Sequence, residues 1–293
     1  MTRSGRPGES EEYCLTMTAI KANGITIEYE TFGDAGSPPV LLIMGLGAQL
    51  TLWDTRFCTA LANAGYYVIR YDNRDVGLST TFEEATISPA YTLSDMAADA
   101  AGLLDSLGIE SAHIVGASMG GMIAQTFAIE FPTRTRTLVS IMSTTGDQTV
   151  GQPKPDALAA LLAPPPTTRD GAIEAGVKIS RIIGSTDFTF DEQAVRDRAA
   201  ASYDRSFNPA GTARQLAAIM AQPDRTAALG EVKAPALVIH GEADPLVTPS
   251  GGKATAAAIP GAKLKLIPGM GHDLPPALYG EIVGELSTHF QNG

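Results

Sequence analysis

Two hydrophobic rhythms alternate along the chain. Short runs dominated by apolar residues (Val40 to Met44, Tyr67 to Tyr71, Ala112 to Val115, Leu138 to Met142, Ala236 to Ile239 and Leu264 to Ile267) have the length and β-rich composition of strands buried on both faces of a parallel sheet. Between them the spacing changes to three and four. Leu93, Met96, Ala97, Ala100, Leu104 and Leu107 fall on one helical face, opened by the capping-box pattern Thr92-Leu93-Ser94-Asp95 and closed by Gly108. Helical spacing also runs from about Leu52 to Ala64, from Met119 to Pro132, through Ala254 to Ala258, and over Tyr279, Ile282, Val283, Leu286 and Phe290. Two further β-rich runs between Leu15 and Phe32, joined at Asn23-Gly24, predict an antiparallel pair at one edge. Strands alternating with helices define an α/β class: a mostly parallel eight-stranded sheet with helices on both faces.

The rhythm breaks between residues 146 and 230. A proline-rich opening (Pro153, Pro155, Pro164 to Pro166) leads into helical stretches near Ala172 to Ile183, Glu192 to Tyr203 and Thr212 to Met220, with no strand pattern. An all-helical insertion after the sixth strand is expected to lie over the strand ends as a cap, splitting the core domain into residues 17–145 and 231–293. Residues 1–16 are expected to be a disordered extension, since the first twelve are rich in Gly, Ser, Glu and Arg and carry no apolar signal-peptide region.

Composition narrows the class further. A net charge of −11 disfavours nucleic acid and anionic membranes as partners. No segment approaches the roughly 18 consecutive apolar residues of a membrane span. The two cysteines, Cys14 and Cys58, suggest neither a disulfide framework nor a zinc site, so a cytoplasmic protein is expected.

Chemistry concentrates at Gly116-Ala117-Ser118-Met119-Gly120, a G-x-S-x-G turn between a predicted strand and a predicted helix. The bare pattern carries little, with about 0.2 chance matches expected in a chain of this length. Its strand-turn-helix context gives it weight: such a turn lifts the serine onto a strained bend, and the helix that follows favours negative charge at its N-terminus. A serine hydroxyl needs a base, and the base needs a carboxylate to hold its tautomer. Of four histidines, His113, His240 and His289 read as structural or solvent-facing. His272 lies in the glycine-rich Gly269-Met270-Gly271-His272-Asp273, just after a strand. Asp244, in the loop after the preceding strand, is the candidate acid, with Asp147 after the sixth strand as its competitor; Glu242 reads as a surface carboxylate. For the oxyanion of a tetrahedral intermediate, the N–H groups of Met119 and of Leu46, in Gly45-Leu46-Gly47 after the third strand, are the candidate donors. Gly45 and Trp53 are candidates for the pocket wall, although Trp53 also suits a core position packing its helix on the sheet.

The order Ser118, Asp244, His272, together with G-A-S-M-G-G, G-E-A-D-P-L-V and G-M-G-H, resembles the α/β-hydrolase superfamily from about residue 17 onward. Within it, Y-D-N-R-D-V-G-L-S-T and I-P-G-M-G-H-D-L-P are similar to the aclacinomycin methylesterase group, which demethylates bulky aromatic polyketide esters. The resemblance implies a serine carboxylic-ester hydrolase that needs neither metal nor cofactor and acts on a small hydrophobic ester. One departure stands out. Most relatives have His-Gly after the third strand, where this chain has Met44-Gly45, so a ring hydrogen bond steadying the oxyanion loop is missing. The resemblance also implies a structural role for the Arg74 loop. Perhydrolase and C–C bond hydrolase chemistry use the same triad and stay open, as does a non-catalytic ligand receptor on the same fold.

Overall fold

The computed structural model describes residues 18–82 and 90–291, so the expected N-terminal extension and Cys14 lie outside the described residues. Eight strands form one sheet: β1 (Thr18–Ala22), β2 (Ile25–Phe32), β3 (Pro39–Ile43), β4 (Tyr67–Tyr71), β5 (Ala112–Ala117), β6 (Thr135–Ile141), β7 (Ala236–Gly241) and β8 (Lys263–Ile267). Their order is β1-β2-β4-β3-β5-β6-β7-β8. The first two are antiparallel at the edge, turning through Asn23 and Gly24, both at positive φ. From β4 to β8 every pairing is parallel.

All five residues of β3 are buried, as the unbroken apolar run requires, and they alternate between two cores. Leu41 and Ile43 face α2 (Leu93–Ser106) and α3 (Met119–Glu130), while Val40 and Leu42 face α1 (Thr55–Asn63) and, at the far end of the chain, a terminal helix over Tyr279–Phe290. Each such side chain removed from water contributes about 1.5–3 kcal/mol. Trp53 belongs to the second core: it is fully buried, stacks on Phe57 with ring centroids 5.6 Å apart, and does not line the cavity described below. The pocket assignment is thereby corrected, because the indole is enclosed by the core under α1 and the terminal helix.

Five helices, α4 (Pro155–Leu161), α5 (Arg169–Ile183), α6 (Glu192–Arg205), α7 (Pro209–Met220) and α8 (Thr226–Leu229), fill the insertion between β6 and β7; α9 (Pro249–Ala258) and α10 (Tyr279–Phe290) complete the core. Pattern reading finds three of the five. Pro155, part of the proline-rich opening, sits in the first turn of α4, where its missing N–H has no intrahelical partner to lose. With only four residues, α8 is too short to show a period.

Strand order places the site. The chain runs from β3 out to β4, then returns past β3 to β5, so the connections leaving the C-terminal ends of β3 and β5 pass to opposite faces, and the crevice between them is where open α/β sheets bind ligands. The register sets Ile43 beside Gly116, bringing the loop after β3 level with Ser118.

Candidate active site

Ser118 sits between β5 and α3 with φ 57° and ψ −121°, a conformation that non-glycine residues adopt only when their surroundings impose it. Four hydrogen bonds do so. Its N–H donates to Ile141 O (2.9 Å), and its carbonyl accepts from Gly121 N–H (2.9 Å), Met122 N–H (3.2 Å) and Ser143 Oγ (2.8 Å). The helix also has to come close: a Cβ on Gly120 would lie 2.0 Å from Ile43 O, so only glycine lets α3 start against the end of β3.

His272 reaches Ser118 from the loop after β8. Its Nε2 is 2.9 Å from Ser118 Oγ and its Nδ1 is 2.8 Å from Asp244 Oδ2. A carboxylate can only accept, so the proton sits on Nδ1, and Nε2 is left to accept from the serine hydroxyl. Asp244, buried in the loop after β7, is held in turn by Leu246 N–H (2.8 Å) and Val247 N–H (3.0 Å) on Oδ1. The structure thus brings Ser118, Asp244 and His272 into one chain of contacts. Asp147 stands apart, its Oδ1 engaged by Thr149 N–H and Oγ at 2.8 Å each, and Glu242 is exposed.

The loop after β3 packs directly on the serine. A Cβ on Gly45 would meet Ser118 Cβ at 3.1 Å and Ala117 O at 3.3 Å. Gly47 N–H donates to Gln215 Oε1 (2.8 Å) and Ala48 N–H to Gly45 O (3.3 Å), whereas Leu46 N–H has no hydrogen bond among the described residues. Met119 opens α3, where an N–H has no intrahelical acceptor. Two groups fix the loop after β3: Asn73 Nδ2 donates to Met44 O (2.9 Å), and Gln215 bridges Gly47 N–H to Arg74 O (2.7 Å).

The remaining histidines are buried. His113 contacts Thr137 Oγ1 (2.9 Å), and burial, with Arg136 and His289 nearby, pushes it down to about 4. Burial also lowers His289. His240 does more than a structural role suggests. Its Nε2–H donates to Val247 O (2.7 Å) and lies 3.5 Å from Asp244 Oδ2, so it backs the acid loop, while burial keeps the ring neutral. Its place four residues before Asp244, at the end of a strand, was the available signal.

The Arg74 loop is structural, as expected, through a two-point ion pair with buried Asp99 (2.6 and 2.7 Å). It also anchors the insertion. Arg205 of α6 bonds Asp72 Oδ2 (2.7 Å), and Arg214 of α7 grips Asp75 at 2.8 and 2.7 Å.

Above Ser118 the insertion and the strand ends enclose a cavity of about 1280 Å³. That is larger than the roughly 300–1,000 Å³ of most small-molecule sites. Gly45, Leu46, Ser118, Met119 and His272 line its floor, and Leu158, Ile179, Phe188, Phe207 and Leu216 belong to its wall. Among the described residues no helix is long and apolar enough to cross a membrane.

A strand-order crevice holding a serine, a histidine and an aspartate under a helical insertion is the arrangement of a hydrolase fold, and comparison with known proteins agrees. A family profile described as the alpha/beta hydrolase fold matches residues 38–275, and the chain belongs to that family. It is similar to the rhodomycin D methylesterase of Streptomyces sp. (strain C5), with 30% identity covering 92% of this chain and 96% of the relative. It is also similar to the 2-hydroxy-6-oxononadienedioate/2-hydroxy-6-oxononatrienedioate hydrolase of Burkholderia vietnamiensis, at 33% identity over 85% of each chain. Among solved structures, the enol-lactonase from Burkholderia xenovorans LB400 superposes with a TM-score of 0.75 over 94% of this chain and 100% of its own, at 24% identity, a likeness of fold.

Proposed function

We propose that the protein is a serine carboxylic-ester hydrolase that removes a small alcohol, such as methanol, from a bulky hydrophobic ester. The observation that carries this is the unbroken contact Ser118 Oγ, His272 Nε2, His272 Nδ1, Asp244 Oδ2 at the floor of a large cavity. Similarity to a methylesterase over nearly the whole chain supports the substrate class.

In this mechanism Ser118 Oγ attacks the ester carbonyl carbon as His272 Nε2 takes the hydroxyl proton, and Asp244 stabilises the imidazolium through Nδ1–H. Carbonyl electrons move onto oxygen, which accepts hydrogen bonds from Leu46 N–H and Met119 N–H. When the carbonyl re-forms, the alkoxy group leaves with the proton from His272. Water, deprotonated by His272, then attacks the acyl-enzyme and releases the carboxylic acid and free Ser118. Residues 146–230 act as a cap over the core domain of residues 17–145 and 231–293. Burying a large acyl group beneath this cap contributes roughly 25 cal/mol per Å².

The test is a panel of methyl esters of increasing acyl size beside p-nitrophenyl acetate and butyrate. kcat/KM is expected to rise with acyl size; a steady fall as the acyl part grows would contradict the substrate class while leaving the mechanism in place. A second reading, C–C bond hydrolysis, is favoured by similarity to the dienedioate hydrolase. Adding 2-hydroxy-6-oxononadienedioate to the panel separates the two, since turnover of that compound above every ester would replace the ester reading.

A further inference from the structure

The loops that carry the site differ in how they meet the cap. Ser118 is held by core residues alone. The loop after β3 meets the cap through side chains, Gln215 on Gly47 N–H and Gln49 on Ser202 O, Ser206 O and Arg205, and the acid loop accepts a hydrogen bond from Lys154 N–H at Pro245 O (2.8 Å). The loop bearing His272 is joined to the cap at four of five successive residues, all by the segment that ends α5. Gly269 O accepts from Thr186 N–H (2.8 Å), and His272 N–H donates to Ile183 O (2.7 Å). Ser185 bonds the residues on either side of His272: its Oγ accepts from Gly271 N–H (3.0 Å), and its N–H (3.0 Å) and Oγ–H (2.5 Å) both donate to Asp273 Oδ1.

The backbones at this junction leave no room for slack. A Cβ on Gly271 would lie 2.4 Å from Gly184 C and O, so the two chains touch where neither has a side chain. Ser185 thereby grips the residues before and after His272, while Ile183 holds the peptide of His272 itself. A shift of the end of α5 relative to the sheet would move the imidazole relative to Ser118 and Asp244, both fixed in the core.

We propose that Ser185 is a positioning residue that couples the cap to the base: the seat of the α5 end sets the alignment of His272. The proposal rests on the serine-hydrolase reading above. The cap is then part of the catalytic support at this edge, and a substrate that settles it also settles the base. Misplacement by a fraction of an ångström affects the chemical step more than binding.

The test is the second-order rate at which a small fluorophosphonate labels Ser118 in the full-length protein, read with kcat and KM on the best ester. Ser185→Ala should slow labelling and lower kcat by about tenfold, with KM within about twofold of wild type, because the reacting geometry changes while the pocket does not. Ser185→Thr, which restores the hydroxyl, should recover most of the loss. A merely structural serine would lower the melting temperature and leave kcat per folded molecule unchanged, and that result would overturn the coupling. Wild-type protein that is never labelled at Ser118 would defeat the serine-hydrolase reading instead. If Ser185→Ala does not fold, amide hydrogen exchange of the wild type decides. The amides of Ser185, Gly271 and His272 should show one common protection factor, as parts of a single opening unit, and distinct protection factors would overturn the proposal.

Discussion

Helix α3 and helix α5 both border the cavity, yet they are built in opposite ways. Ten of the twelve residues of α3 are buried, and it packs between α2, β5 and β6, so the strained Ser118 at its start is over-determined by the core. Only Val177 of the fifteen residues of α5 is buried, and α6 likewise buries only Val195. The insertion meets the core through discrete polar ties, among them those at Asp72, Asp75, Gly47, Gln49 and the His272 loop. A tightly packed half suits chemistry that fails with small displacements, and a polar-tied half can adjust to the shape of a substrate. Changes in the two halves should therefore affect different quantities.

The largest expected effects fall in the packed half. Ser118→Ala and His272→Ala should each lower kcat by about 10⁴ to 10⁶, because the three residues act as a unit. Steady-state kinetics on the best ester check this, and near-normal turnover by either folded variant would place the reacting group elsewhere. Asp244→Asn should cost about 10³ to 10⁴ in kcat through the wrong histidine tautomer. Asp147→Asn should stay within about threefold, since its carboxylate serves its own loop; the reverse ranking would move the acid to the loop after β6.

Breaking a tie of the insertion should read out differently. Arg214→Ala leaves Asp75 buried without its guanidinium and should destabilise the protein by about 3 kcal/mol. In the fraction that remains folded, KM should rise several-fold with kcat reduced less, as the wall of the cavity loosens. A fall in kcat with KM constant would mean that loosening Arg214 reaches the reacting groups through Gln215 and the loop after β3.

Protonation provides a milder probe of the core. Burial depresses His113 from its ordinary value near 6.5 to about 4, and a depressed group contributes stability that is complete above the unfolded value and lost as pH falls through the folded one. Stability should decline between about pH 6.5 and 4, by on the order of 3 kcal/mol from this residue. Urea unfolding of wild type and His113→Asn across that range measures it. The slope should flatten only in part in the variant, because His240 and His289 are depressed by burial as well. Smallest of all should be the response to thiol reagents: burial pushes Cys58 up to about 12, and small maleimides should leave ester turnover intact.

The division between the halves also explains what could be read from the sequence. Ser118, Asp244 and His272 each follow directly on an apolar strand run, so a local pattern announces both the residue and its place at the sheet edge. The mostly parallel sheet follows from the alternation of periods, whereas the crossover that puts β4 outside β3 leaves no mark in them. The groups that hold these residues in place carry no such mark. Gln215 meets Gly47 across 168 positions, and Ser185 meets Asp273 across 88; nothing near either residue sets it apart from an ordinary helical or loop polar side chain. Asn73 lies inside a segment singled out for its Arg74 neighbour, and its bond to Met44 O joins loops 29 positions apart that no local pattern connects. Trp53 is ambiguous in the sequence because a large aromatic after a glycine loop suits a pocket as well as a core, and its stacking on Phe57 in the core, a contact the sequence does not mark, decides between them.

The central claim is that Ser118 is the nucleophile of an ester hydrolase, and covalent trapping tests it most directly. Wild-type protein treated with excess fluorophosphonate and digested for mass spectrometry should carry one equivalent of label, on the peptide containing Ser118, with ester turnover lost in proportion. Ser118→Ala should take up none. Ester turnover that survives full labelling of Ser118, or label that settles on another residue as activity disappears, would contradict the account.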